Sequence, residues 1–188
     1  MNNPILNLRS HNLTYIIELT LLAIILPFRS VSSAGITKNS IIDLANKNRE
    51  QAVVATLSEN NQLAAAAELK AQDMLNSDYF DHYSPAGKAP WDFILAQKYD
   101  YSIAGENLAM DFDTSEGVTR AWMDSPTHAK NILNPLFTDI GVAVIDGKIN
   151  GSETTLVVQM FGSKQESVIN SILNMPVVKT VSIILGIK

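Results

Sequence analysis

Cysteine is absent from the 188 residues, which excludes disulfides and thiolate chemistry and leaves histidine and carboxylate side chains as candidate ligands or catalysts. Positive charge is scarce as well. Fourteen Lys and Arg stand against 19 Asp and Glu, for a net charge of −5, and the basic residues form no stripe. This excludes nucleic acid as a partner, because phosphate binding needs clustered basic side chains. Histidine occurs three times; His11 belongs to the N-terminal segment, so His82 and His128 carry any imidazole chemistry of the folded part. No internal repeat is visible, and the length fits one well-buried domain with extensions.

A long apolar run is also missing at the N-terminus. Leu19–Phe28 is apolar, but Glu18 cuts it off from the residues before it, which leaves it well short of the roughly 20 residues a spanning helix needs. Arg9 and His11 precede the run and Ser32-Ser33-Ala34 follow it, the pattern of a secretory signal cleaved near Ala34. Residues 1–34 are therefore expected to be a signal peptide, with an uncleaved membrane segment as the alternative, and the remainder is expected to be secreted or held in the cell envelope.

Beyond the signal, Thr37-Lys38-Asn39-Ser40 caps a helix with Ile41, Leu44 and Ala45 on one face, expected to reach Leu57. After Asn60-Asn61 a second helix carries Leu63, Ala67, Ala71 and Met74 on one stripe and ends at Asn76-Ser77-Asp78. Tyr79–Gly87 has no period and reads as a loop folded back on the core. Pro90 opens a third helix with Trp91, Ile94 and Leu95 on its buried side. Ala104–Met110 reads as a small strand or extended turn, and Thr114-Ser115-Glu116 caps a helix containing Val118, Ala121 and Trp122. Both tryptophans read as core.

Ser125-Pro126 starts a short helix ending near Asn134-Pro135, which sets His128 in its first turn. Ile140–Ile145 and Thr154–Phe161, joined through Asp146-Gly147 and Asn150-Gly151, predict an antiparallel pair. Both strands are apolar on both faces, so the expected class is α+β, a small sheet covered by helices on its two sides. After Ser163 the spacing of Val168, Ile169, Ile172 and Leu173 is helical, and Pro176 interrupts it. The tail 164–188 is expected to pack on the domain or lie on a membrane surface, since Lys179 and Pro176 count against a spanning helix.

Four separated segments resemble the CAP superfamily, which takes in cysteine-rich secretory, antigen 5 and pathogenesis-related 1 proteins, and within it the bacterial SCP-like extracellular branch. They are Asp43–Glu50, Phe80–Pro85, Gly105–Ala109, and Trp122–His128 with Asn131-Ile132-Leu133; Ile140-Gly141-Val142 and Val158–Gly162 complete the pattern. The resemblance implies a CAP domain over residues 38–163, built as a three-layer α-β-α sandwich around a small central antiparallel sheet with a cleft on one side. It also implies that His82, Glu106 and His128 meet in that cleft. A further family glutamate is missing, because Asp124 and Ser125 stand where it would be.

A histidine pair beside a carboxylate is half of a metal site. His82 and His128 would hold a divalent ion such as zinc, and Glu106 would ligate it or act as the catalytic base for water. The structural alternative is that both histidines hydrogen-bond Glu106 and tie loop, strand and helix together. Asn107 and Ser125 complete the expected cleft set. Asn107 is expected to bond backbone across the cleft. Ser125 could be the nucleophile of a Ser125–His128 pair, but its expected work is to cap the helix, and no Gly-x-Ser-x-Gly elbow is present. Three functions follow: a binding module for a lipid, peptide or surface polymer; a metal-assisted hydrolase; or an envelope protein attached through the N-terminal segment or the tail.

Overall fold

The structure is a computed structural model that describes residues 35–175. The expected signal segment and residues 176–188 lie outside the described residues.

N-cap side chains start three of the six helices among the described residues, and a proline begins two of the others. Thr37 accepts from the Ser40 N–H and opens α1 (Lys38–Gln51), and Asn60 accepts from Gln62 and Leu63 at the start of α2 (Asn61–Asn76). Pro90 begins α3 (Pro90–Ala96), where Asp92 accepts from the Ala89 N–H. Thr114 caps α4 (Ser115–Asp124), Pro126 begins α5 (Pro126–Ile132), and α6 spans Gln165–Leu173. Each cap satisfies amide donors that a helix start leaves unpaired.

Four strands, β1 (Ser58–Glu59), β2 (Ile103–Met110), β3 (Asp139–Ile149) and β4 (Ser152–Ser163), lie in the order β1-β3-β4-β2. The β3·β4 and β4·β2 pairs are antiparallel, as expected. The sheet is nevertheless mixed, because β1 runs parallel to β3 through Ser58↔Asp139 and Glu59↔Ile140. The first helix also stops six residues short of the expected Leu57. The chain turns at Val53, whose φ is 58°, and Leu57 is buried just before β1.

Helices cover both faces of the sheet. Leu63, Ala67, Ala71 and Met74 of α2 and Phe93 and Ile94 of α3 pack on one face with Leu108, Ala143, Leu156, Val158 and Met160. Ile41, Ala45, Val118, Trp122 and Ile132 pack on the other with Ala109, Ile140, Val142, Val157 and Phe161. Leu95, expected inside, is exposed, and Phe93 takes the buried position of α3. Gly141 is required by close approach: a Cβ there would lie 2.1 Å from the backbone of Leu63 and Ala64. Of the loop aromatics, Tyr79 packs on the core, while Phe80 and Tyr83 are exposed. Helix α6 forms where its spacing placed it but buries none of its residues. Among the described residues no helix is long and apolar enough to cross a membrane.

Candidate functional site

β2 is an edge strand, and its alternation sends adjacent residues to opposite layers. Glu106 pairs with Met160 and faces the α2 and α3 side, whereas Asn107 pairs with Gln159 and faces α5. The Glu106 side chain is 1% exposed, and its Oε1 lies 2.6 Å from His82 Nδ1. Its Oε2 is buried and has no hydrogen-bond partner among the described residues. The loop that carries His82 is pinned from beneath by Lys70, whose buried ammonium donates to the carbonyls of Asp81 (2.7 Å) and His82 (2.9 Å) and to the Tyr79 hydroxyl (3.0 Å).

Burial pushes the Glu106 carboxyl above its ordinary value, an effect that outweighs the opposing pull of His82 and Lys70. The hydrogen bond to Glu106 raises His82 despite partial burial. Desolvation lowers Lys70, against the attraction of Glu106, Asp73 and Asp81. The pair thus joins a carboxylate that resists ionisation to an imidazole that favours it.

His128 does not join this pair. Its Nδ1 lies 2.8 Å from Ser125 Oγ, which also contacts Thr127 Oγ1 at 3.2 Å. The expected side-chain cap by Ser125 is therefore not made: only its carbonyl serves the helix, accepting from Ala129 N–H, while its hydroxyl turns to the histidine three residues on. Burial and the nearby His82 lower His128. No hydrogen bond links His128 to Glu106 among the described residues, so the structural alternative in which both histidines bond that carboxylate holds for His82 alone.

The strand-to-helix tie is made by amides instead. Asn107 is fully buried. Its Nδ2 donates to the His128 carbonyl (3.3 Å) and to Gln159 Oε1 (3.0 Å), and its Oδ1 accepts from Asn131 Nδ2. Asn107 therefore bonds backbone across the cleft as expected, but it does not face the cleft opening. Asn131 also donates to the Glu106 carbonyl, and Trp122 Nε1 donates to the Leu108 carbonyl. These two side chains satisfy two outward carbonyls of β2.

An open pocket with a cavity volume of about 260 Å³ is lined by His82, Tyr83, Trp91, Glu106 and Asn131, with Pro90, Ala104 and Gly105 completing the wall. Trp91 is half-buried and forms a wall, in contrast to the fully packed Trp122. Among the described residues no three His, Asp or Glu side chains form a group that could hold an ion. With Nδ1 of His82 held by Glu106 and Nδ1 of His128 held by Ser125, Nε2 is the nitrogen each ring keeps for an ion, and Glu106 stands behind His82 as an orienting partner and not as a third ligand beside it.

Sequence reasoning missed Lys70, Asn131 and Trp91 as parts of the site. Two of these left a signal. Lys70 is a lone cation on the buried stripe of α2, and Asn131 lies three residues after His128 on the same short helix.

The profile of the Cysteine-rich secretory protein family (CAP) matches residues 42–161. Protein YkwD of Bacillus subtilis is 39% identical over 115 residues, covering 61% of this chain and 45% of the relative. The B. subtilis membrane protein YlbC is 30% identical over 108 residues, covering 57% and 31%. The chain thus spans less than half the length of the curated relatives it matches. Among solved structures, an extracellular protein containing a SCP domain from Bacillus anthracis is 30% identical with a TM-score of 0.58, covering 67% of this chain and 40% of the other. An outer surface protein of Borrelia burgdorferi shares the fold at 20% identity with a TM-score of 0.61, covering 69% and 96%. With the layered α-β-α architecture, the match over residues 42–161 places this cysteine-free chain in the CAP family of cysteine-rich secretory proteins.

Proposed function

We propose that the chain is exported and that its CAP domain is a binding module whose pocket receives a hydroxyl, amide or amine group of a larger envelope ligand, a surface polymer or a peptide. The observation that carries this reading is Glu106: a buried carboxylate with one oxygen held by His82 and the other without a partner, in the wall of a pocket. A buried acceptor left unpaired costs about 1–3 kcal/mol, a deficit that a ligand donor would relieve. The cavity volume falls below the roughly 300–1,000 Å³ typical of sites for whole small molecules, so the pocket suits a side group. Trp91 supplies a face for its apolar part. The signal pattern at residues 1–34 supports export, as do relatives described as extracellular and outer-surface proteins.

A hydrolytic reading draws on the raised titration of the same carboxyl, which suits a general base. Among the described residues no Ser, Thr, Cys or Lys side chain lines the Glu106 pocket to serve as a covalent nucleophile, so water would have to be the attacking group. Ser125 meets His128 at Nδ1, and among the described residues no carboxylate hydrogen-bonds that ring.

The test is retention of the exported protein on isolated bacterial cell envelopes. Glu106→Gln keeps the shape but replaces one acceptor with a donor, and should weaken retention about tenfold, or about 1.4 kcal/mol. Trp91→Ala should weaken it by a similar factor. Equal retention of both variants, or none by the parent, would refute the proposal.

A further inference from the structure

The two edges of the sheet are treated differently. On β2 the outward carbonyls of Glu106 and Leu108 are taken by Asn131 and Trp122. On β3 the carbonyl of Ile140 accepts from Asn60 N–H, so the even-numbered residues turn their backbone outward. There β1 ends after two residues, because Asn60 caps α2 and the chain leaves the sheet. Among the described residues the outer edge of β3 has no strand partner beyond Ile140, and no other element hydrogen-bonds the backbone of Val142, Val144 or Asp146.

A groove with a cavity volume of about 930 Å³ lies along this open edge. Asn61, Ala64, Ala65 and Glu68, one face of α2, form one wall; Lys38 and Phe112-Asp113 are on the other. The groove therefore sits in the plane of the sheet between its two helical layers, where a fifth strand would lie about 4.8 Å from β3. The two walls recess the edge, which excludes a second copy's β3 with its own walls and admits a single extended chain. Glu68, Asp113 and Asp146 line the groove against Lys38, which is held by Glu59 at 3.0 Å.

We propose that this groove docks an extended peptide bearing basic side chains, which adds as a strand to β3 through the outward N–H and C=O groups of Val142, Val144 and Asp146. Main-chain bonds to an open edge supply affinity, and side chains meeting the walls supply selectivity. The small Ala64 and Ala65 leave room for alternate side chains on the α2 side, and the three carboxylates select lysine or arginine. This site is separate from the Glu106 pocket, which lies at the opposite edge of the sheet.

The probe is a blocked heptapeptide, Thr-Val-Lys-Val-Lys-Val-Thr, added to the exported protein. Hydrogen exchange at the amides of Val142, Val144 and Asp146 should slow about tenfold at saturation, as newly paired edge amides do. The same peptide N-methylated at alternate residues should give no protection. A version with glutamate for lysine should bind about tenfold more weakly at low salt. Val144→Pro removes an outward donor without breaking the bonds to β4 and should abolish the protection. Ala65→Phe, which fills the groove from an exposed helix face, is the second variant, and an unchanged melt shows that either fold is intact. Unchanged exchange at the three amides, or equal binding of the N-methylated peptide, overturns the proposal. Protection that appears only in a chain ending at Met175 assigns the groove to residues 176–188 of the same chain and also overturns it.

Discussion

At the residue scale, His82 and Glu106 form a coupled pair whose consequence is a pH dependence of stability. The folded value of His82 is raised, chiefly by its hydrogen bond to Glu106. Its contribution is therefore fully present below the unfolded value of about 6.5 and is lost as pH rises through the folded value. Glu106 remains buried and without a second partner for its carboxylate over that window. Urea unfolding of the protein between pH 6.5 and 9 should show stability falling as pH rises. His82→Gln should flatten this limb, and Glu106→Gln should flatten it too, because the group that raises the imidazole is gone. An unaltered slope in both variants would assign the titration elsewhere. In the sequence His82 stood out as a scarce residue type and Glu106 as part of a matched segment, and a bond between them was one expected alternative, yet that His82 alone makes it was not legible. Which histidine reaches the carboxylate is decided by Lys70 pinning the loop and by Ser125 taking His128, and the second of these contacts follows from a three-residue spacing that a capping interpretation concealed.

The element that positions α5 is α1, through one side chain. Arg49 is fully buried, and among the described residues no carboxylate pairs with it. Its guanidinium donates to the carbonyls of Ala55 (2.6 Å), Ile132 and Asn134 (both 2.8 Å), and Phe137 (3.1 Å). Desolvation lowers its pKa to about 10, so it stays charged at neutral pH and fixes the end of α5 and the entry to β3. Lysine keeps the charge but cannot span four carbonyls. Arg49→Lys should cost about 2 kcal/mol, and Arg49→Ala about 3–5 kcal/mol, since several buried acceptors are left unpaired. Urea denaturation measures both, and a loss under about 1 kcal/mol for the alanine variant would remove Arg49 from this role. Cap residues made most helix starts legible, and alternation made β3 and β4 legible. The end of α1 was not: residues 52–57 are apolar enough to continue a helix, but Arg49 draws the Ala55 carbonyl inward and the chain turns at Val53. β1 is too short to show a period, and its parallel pairing with β3 joins residues far apart in sequence.

For the molecule as a whole, the question is where the cooperative unit ends. β4 terminates at Ser163, which is fully buried; its hydroxyl donates to the Leu136 carbonyl (2.6 Å) and accepts from the Thr138 N–H (2.8 Å). These bonds close the last strand onto the entry to β3. Helix α6 begins two residues later, buries none of its side chains, and leaves Ile169, Ile172 and Leu173 between 42% and 55% exposed. Its tie to the domain is an exposed bond from Ser102 Oγ to Gln165 Oε1, with Lys164 over the Tyr99 ring at 5.6 Å. An exposed hydrogen bond contributes on the order of 1 kcal/mol or less, and a contact from an exposed ammonium to the buried Tyr99 ring about 1 kcal/mol. Ending the chain at Ser163 should therefore leave a domain that unfolds in one cooperative transition, destabilised by no more than about 2 kcal/mol. It should keep the peptide groove and the Glu106 pocket, because α6 lines neither. If α6 with the residues after it is instead what attaches the protein to an envelope, envelope retention should fall while stability and peptide binding persist. Urea unfolding followed by fluorescence and circular dichroism decides the first point. Non-coincident transitions, or a chain unfolded in buffer, would make α6 part of the core and move the domain boundary past residue 173.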